Sequence, residues 1–213
     1  MSYTDVSVDL ETLGTRSGSV ITQIGLCAFN QRPTSGGTAA LSGVNILVNP
    51  QSAITCGLTV DWSTISWWLQ QNEEARVKMA TQKGRTLPDA LWAVIKFMED
   101  MALGGDTKLL RVWGHGAGFD ITLLECAFNA CGIPVPWDFR MVRDLRTLAD
   151  LQGAHDNVAR PVPVVEHDAL ADASAQAHWI QALTRDVETR DVKVYGEAPQ
   201  GEHQVVLDAI AKC

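Results

Sequence analysis

A chain of 213 residues that is 46% hydrophobic can bury one sizeable core, and 20% charged residues together with seven tryptophans exclude a disordered chain. A net charge of −8 excludes a protein that coats polyanions by bulk electrostatics, although carboxylates that hold divalent cations attract phosphate once loaded. Five cysteines without a CxxC pair suggest neither a disulfide framework nor a zinc site, and the start MSYTDVSVDL lacks a leader pattern. No window reaches the roughly 20 apolar residues of a membrane span, so a cytoplasmic chain with no membrane partner is expected.

Residues 5–10 alternate Val6, Val8 and Leu10 with polar neighbours and run into Thr12, Leu13 and Gly14, which predicts a strand ending in a turn. Residues 20–29 predict a second strand. After a Gly/Ser/Thr-rich connection, residues 44–48 predict a third, stopped by Asn49 and Pro50. Three strands in succession predict a meander.

From Thr59 the period changes, with Ile65, Trp68 and Leu69 at helical spacing, and residues 87–101 form a second amphipathic run. Adjacent helical residues point about 100° apart, so Trp67 and Trp68 cannot both be deeply buried against one surface; Trp68 is assigned to the core. Residues 109–113 predict a short strand closed by Gly114, and residues 120–131 a helix ended by Gly132 and Pro134. Residues 139–151 are helical in pattern, with Arg140, Arg143 and Arg146 along one side, either as a cationic strip or as a solvated face paired with Asp144 and Asp150. Residues 153–165 read as loop, and a last, alanine-rich helix starts near Asp168, whose side chain suits an N-cap. Cys27 and Cys126 read as buried thiols. The domain is expected over residues 1–185, with residues 186–213 a partly helical tail. Strands alternating with helices predict an α/β sheet with helices on its faces.

Asp9 and Glu11 stand two apart on the first strand and therefore share a face. Two carboxylates held that close are relieved by a cation between them or by protonation of one; a solvated strand end with Thr12 capping a turn is the alternative. Asp120 sits where a glycine-rich loop meets a helix and, taken in isolation, reads first as an N-cap. His167 and Asp172 are five apart, so His167 must precede the helix to face what Asp172 faces. Taken together, the four carboxylates and one imidazole match the needs of phosphodiester hydrolysis by two cations roughly 4 Å apart, and an oxygen-only donor set suits Mg²⁺ or Mn²⁺.

The motifs VDLET at residues 8–12, WGHGAGFD at 113–120 and HDALADA at 167–173 occur in the order and spacing of the three motifs of the DEDDh 3′→5′ exonucleases, and the chain resembles that family. TISWWLQQNEEAR at 64–76 and FRMVRDLRTL at 139–148 extend the resemblance to compact bacterial and phage enzymes, among them the Rv2179c-like exoribonuclease domain and phage single-strand exodeoxyribonucleases. The resemblance implies a ribonuclease H-like mixed five-stranded sheet flanked by helices, with Asp9, Glu11, Asp120 and Asp172 as ligands of two Mg²⁺ or Mn²⁺ ions and His167 as general base. It implies Thr12, Leu13, Phe119, Trp67 and Arg140 as substrate contacts, single-stranded DNA or RNA with a free 3′ end as substrate, and nucleoside 5′-monophosphates as products, in a bacterial or phage-infected cytoplasm. Homodimerisation is expected by analogy with relatives of this size. The same site serves two further readings, a non-catalytic module for nucleic-acid ends or a protein, and a hydrolase of a small dinucleotide or an RNA cap.

Overall fold

The computed structural model describes residues 2–31, 41–81, 83–153 and 167–189. Five strands form one sheet in the order β3-β2-β1-β4-β5, with β1 Asp5–Thr12, β2 Ile21–Phe29, β3 Ser42–Leu47, β4 Arg111–Gly114 and β5 Val142–Asp144. The meander β1-β2-β3 is antiparallel, whereas β4 and β5 run parallel to β1. The helices are α1 Pro50–Thr55, α2 Trp62–Leu69, α3 Glu73–Thr81, α4 Leu87–Met101, α5 Asp120–Ala130, α6 Leu145–Leu151 and α7 Ala169–Thr189. The outcome is the mixed five-stranded α/β sheet expected for a ribonuclease H-like fold.

Strand alternation decides what each face of the sheet carries. Val6, Val8 and Leu10 of β1 join Ile24 and Leu26 of β2 in a core shared with Leu91, Val94 and Met98 of α4 and Leu124 and Phe128 of α5. On the opposite face, Cys27 and Phe29 of β2 pack with Trp113 and with Ala173, Ala177, Ile180 and Leu183 of α7. Every residue of β2 is consequently buried, since helices cover both sides. Asp5, Ser7, Asp9 and Glu11 occupy the alternate positions of β1 and so face α7. Asp5, the outermost of them, is fully buried and satisfied by Arg111 at 2.6 and 2.7 Å and by the Trp113 indole N–H at 2.8 Å.

Caps and close approaches fix where the helices begin. Asn49 and Pro50, expected to stop the third strand, also start α1: the Asn49 side chain accepts from the Gln51 and Ser52 N–H groups and Pro50 takes the first helical position. Thr86 caps α4 and Asp61 caps α2. Asp168 accepts from the Ala171 N–H at 3.0 Å, the capping role expected of it, and also from the Asn45 side chain at 3.2 Å.

Residues 139–151 are not one helix. A 3₁₀ turn, Phe139–Met141, is followed by β5 and only then by α6, which Asp144 caps through the Thr147 N–H. Pairing with β4 across the sheet overrides the local helical pattern, and the three arginines therefore do not share a helix face. Of the two cysteines expected to be buried, Cys27 is, whereas Cys126 is half-buried. The expected loop lies, but for Gly153, outside the described residues, as does the tail beyond Thr189. Among the described residues, no helix is long and apolar enough to cross a membrane.

Candidate active site

The far end of β1 carries Asp9 and Glu11 side by side, just before a register shift against β2 between Glu11 and Thr12. Such irregularities re-aim side chains at strand ends. Asp172 comes from the first turn of α7, and one carboxylate oxygen from each of Asp9, Glu11 and Asp172 lies within 4.8 Å of the others. Asp120 opens α5 and is buried; its charge acts on Asp9. Asp120 and Asp172 each stand in the first turn of a helix, where the positive end of the helix dipole partly offsets their mutual repulsion.

The electrostatics follow from this crowding. Burial pushes the Asp9 carboxyl well above the ordinary carboxylate range, and the charges of Asp120, Asp172 and Glu11 push it further, against a hydrogen bond from Gln176. Burial raises Asp120 to about 6, opposed by the backbone N–H groups of Gly116, Asp120 and Leu10 and by the Arg146 guanidinium. A site of this kind favours a multivalent cation, because neutralising the cluster removes the cost that otherwise keeps protons on it.

α7 reaches the cluster because β2 lets it. Gly25 pairs with Asp9, and a Cβ at Gly25 would stand 2.0 Å from the Ala169 carbonyl oxygen, so the start of α7 rests directly on the strand backbone. One turn beyond Asp172, Gln176 donates to Asp9 Oδ1 at 2.8 Å while its own carbonyl accepts from Ser7 Oγ at 2.9 Å. Sequence reasoning missed Gln176. Its position four residues after Asp172, on the same helix face, was the available signal.

His167 stands immediately before Asp168 and α7, as the five-residue spacing requires, with φ +56°. Its ring meets Trp67 edge to face at 5.0 Å between centroids and Trp68 at 5.6 Å. Trp68 is in the core, 3% exposed as expected, and donates its indole N–H to the Thr12 carbonyl at 2.9 Å; Trp67 is 45% exposed. Beside the carboxylates a cleft of about 430 Å³ is lined by Leu10, Glu11, Thr12, Trp67, Trp68 and Phe119, together with Thr15, Ser63 and Thr64 of the surrounding turn and helix.

Of the other expected substrate contacts, Leu13 is buried in the core rather than on the cleft wall. Arg140 lies in the turn leading into β5, two residues before Val142, whereas Asp144 at the strand's other end pairs with Gly114. Its guanidinium stacks on Phe139 at 5.0 Å and pairs with Asp138 at 3.7 Å. Arg146 is the arginine that reaches the site: its backbone N–H donates to the His115 carbonyl, and its Nη1 stands 3.1 Å from where a Gly116 Cβ would be. Asp144 holds the same loop by accepting from the Ala117 N–H at 2.8 Å.

A mixed five-stranded sheet flanked by helices, with the carboxylates of Asp9, Glu11 and Asp172 converging at the end of its first strand, is a ribonuclease H-like arrangement. The chain belongs to the Rv2179c-like 3′-5′ exoribonuclease domain family, which it matches over residues 4–184, and so to the 3′→5′ exonucleases. Among solved structures, the nuclease domain of 3′hExo, a DEDDh family member bound to rAMP, superposes with a TM-score of 0.52 at 16% identity over 86% of this chain and 93% of that one. A full-length 3′-exonuclease aligns with a TM-score of 0.49 at 14% identity over 88% of this chain and 84% of that one. At these identities the first likeness speaks for the fold alone. No curated protein matches the chain in sequence.

Proposed function

We propose that this chain removes nucleotides singly from the 3′ end of single-stranded nucleic acid and releases nucleoside 5′-monophosphates. The observation that carries the reading is the meeting of Asp9, Glu11 and Asp172 oxygens within 4.8 Å of one another, with buried Asp120 close enough to raise the Asp9 carboxyl. Crowded, oxygen-only donors of like charge fit two hard divalent cations, Mg²⁺ or Mn²⁺, and Asp9, Glu11, Asp120 and Asp172 would hold them. Such cations supply Lewis-acid stabilisation of charge on the phosphoryl oxygens and lower the pKa of bound water.

The chain's own residues do the rest. His167 accepts the proton of the attacking water at a ring nitrogen, a role that contributes on the order of 10²–10⁴ in rate. The cleft beside Glu11 takes the terminal nucleotide, with Thr12 toward the sugar and Trp67 and Phe119 offering ring faces to the base. Arg146, rather than Arg140, offers a cation to the backbone phosphate. The description of the family supports RNA as the first substrate to test.

The test uses matched single- and double-stranded RNA and DNA oligomers, labelled at the 5′ end, in Mn²⁺ or Mg²⁺. We expect a ladder in single-nucleotide steps on single strands, abolished by chelation and by Asp9→Asn. Internal cuts, or an unchanged ladder from Asp9→Asn, refute the reading. Tight binding without shortening would favour a non-catalytic binding module, and sedimentation of the same samples tests for a homodimer.

A further inference from the structure

Trp67 belongs to two places at once. Its indole lines the cleft together with Glu11, Thr12 and Phe119, and the same ring stands edge to face against His167 at 5.0 Å and 88°. Trp68 completes the trio, 5.2 Å from Trp67 and 5.6 Å from His167, but it is buried and tied to the Thr12 carbonyl, so it is a fixed wall. Trp67 is nearly half exposed. His167 is the one described non-glycine residue with positive φ, so its backbone is held by its surroundings rather than by a regular element. Among the described residues, the rings that pack against the imidazole are those of Trp67 and Trp68.

We propose that Trp67 is a positioning residue that reports occupancy of the cleft by a nucleobase to His167, so that the imidazole is oriented when a base lies on the indole. This rests on reading His167 as the general base and the cleft as the seat of the 3′-terminal nucleotide. A planar base stacked on Trp67 restricts the indole's rotamers and, through the edge-to-face contact, those of His167. An abasic 3′ residue leaves the indole unrestrained while still presenting a sugar and a phosphate. The base then contributes to kcat through the histidine, beyond any contribution to KM.

Two measurements on the full chain test this. In the first, the His167 ring C–H resonances, identified by their loss in His167→Asn, are followed in Mg²⁺ on addition of AMP or of ribose 5-phosphate. AMP should shift them and ribose 5-phosphate should not; Trp67→Ala should abolish the response and Trp67→Phe should keep it. No shift with AMP, equal shifts with both compounds, or a response that survives Trp67→Ala overturns the proposal. In the second, kcat is compared on oligonucleotides ending in a normal or an abasic 3′ nucleotide. Trp67→Ala should lower kcat on the order of tenfold on the normal end and by less than about twofold on the abasic end, since a displaced catalytic group costs rate only where it was first held in place. Equal losses on both ends overturn it. A wild-type chain that shortens no oligonucleotide overturns the nuclease reading instead, and the resonance measurement then decides the Trp67–His167 link alone.

Discussion

At the scale of single residues, an amide does as much to shape the acidic cluster as any carboxylate in it. Gln176 donates to Asp9 Oδ1 and is itself oriented by Ser7, which fixes how the Asp9 carboxylate is presented. Outer hydrogen bonds of this kind typically carry 10–100-fold in metal affinity or activity. Gln176→Leu should therefore weaken Mn²⁺ binding, measured by calorimetry, by on the order of tenfold or more, and it should also cost about 1–3 kcal/mol of stability because the buried Ser7 hydroxyl loses its partner. Adding Ser7→Ala should restore stability without restoring affinity; recovery of both would refute the positioning role. The meeting of Asp9, Glu11 and Asp172 was legible in the sequence because their chemistry dictates residue type and their motifs dictate spacing. Gln176 was not, because a glutamine in an alanine-rich helix carries no chemical signature until its partners are known.

At the scale of elements, the placement of α7 depends on the absence of a side chain at Gly25. Gly25→Ala would drive a Cβ into the backbone of Ala169 and Leu170, which cannot yield as a flexible side chain would. We expect a loss of about 1–3 kcal/mol by denaturant melts, with a parallel loss of Mn²⁺ affinity because Asp172 and Gln176 retreat from β1 together. Unchanged affinity in a folded Gly25→Ala variant would show that α7 does not rest on that strand. The meander and α4 were legible because their periodicity agrees with their final state. β5 was not: three residues, Val142, Arg143 and Asp144, become a strand only by pairing with β4, a partner about thirty residues away that no local window contains. The same blindness made Arg140 look equivalent to Arg146, although one precedes the strand and the other follows it.

At the scale of the whole molecule, the site sets a pH dependence of stability. Without cations, the unfolded chain ionises its carboxyls near the ordinary value of 3.8, whereas folded Asp120 holds its proton to about 6 and Asp9 is raised as well. The folded state thus binds more protons between these limits, and its stability falls as pH rises through them. For Asp120 the loss is on the order of 3 kcal/mol. Melts in chelator should show Asp120→Asn gaining on wild type between pH 4.5 and 7, whereas Mn²⁺ should raise the wild-type Tm far more at the upper end of that range than at the lower. A constant difference between the two proteins across that range would contradict the assignment.

The cluster draws Asp9 and Glu11 from the beginning of the chain, Asp120 from its middle and Asp172 from the last described helix. A ribosome-bound fragment that has not yet emitted α7 therefore has three of the four carboxylates, and the cluster closes only when Asp172 has been made. In the finished chain, any opening of α7 away from the sheet would likewise carry Asp172 away from Asp9 and Glu11, and amide exchange along that helix would measure how often this happens.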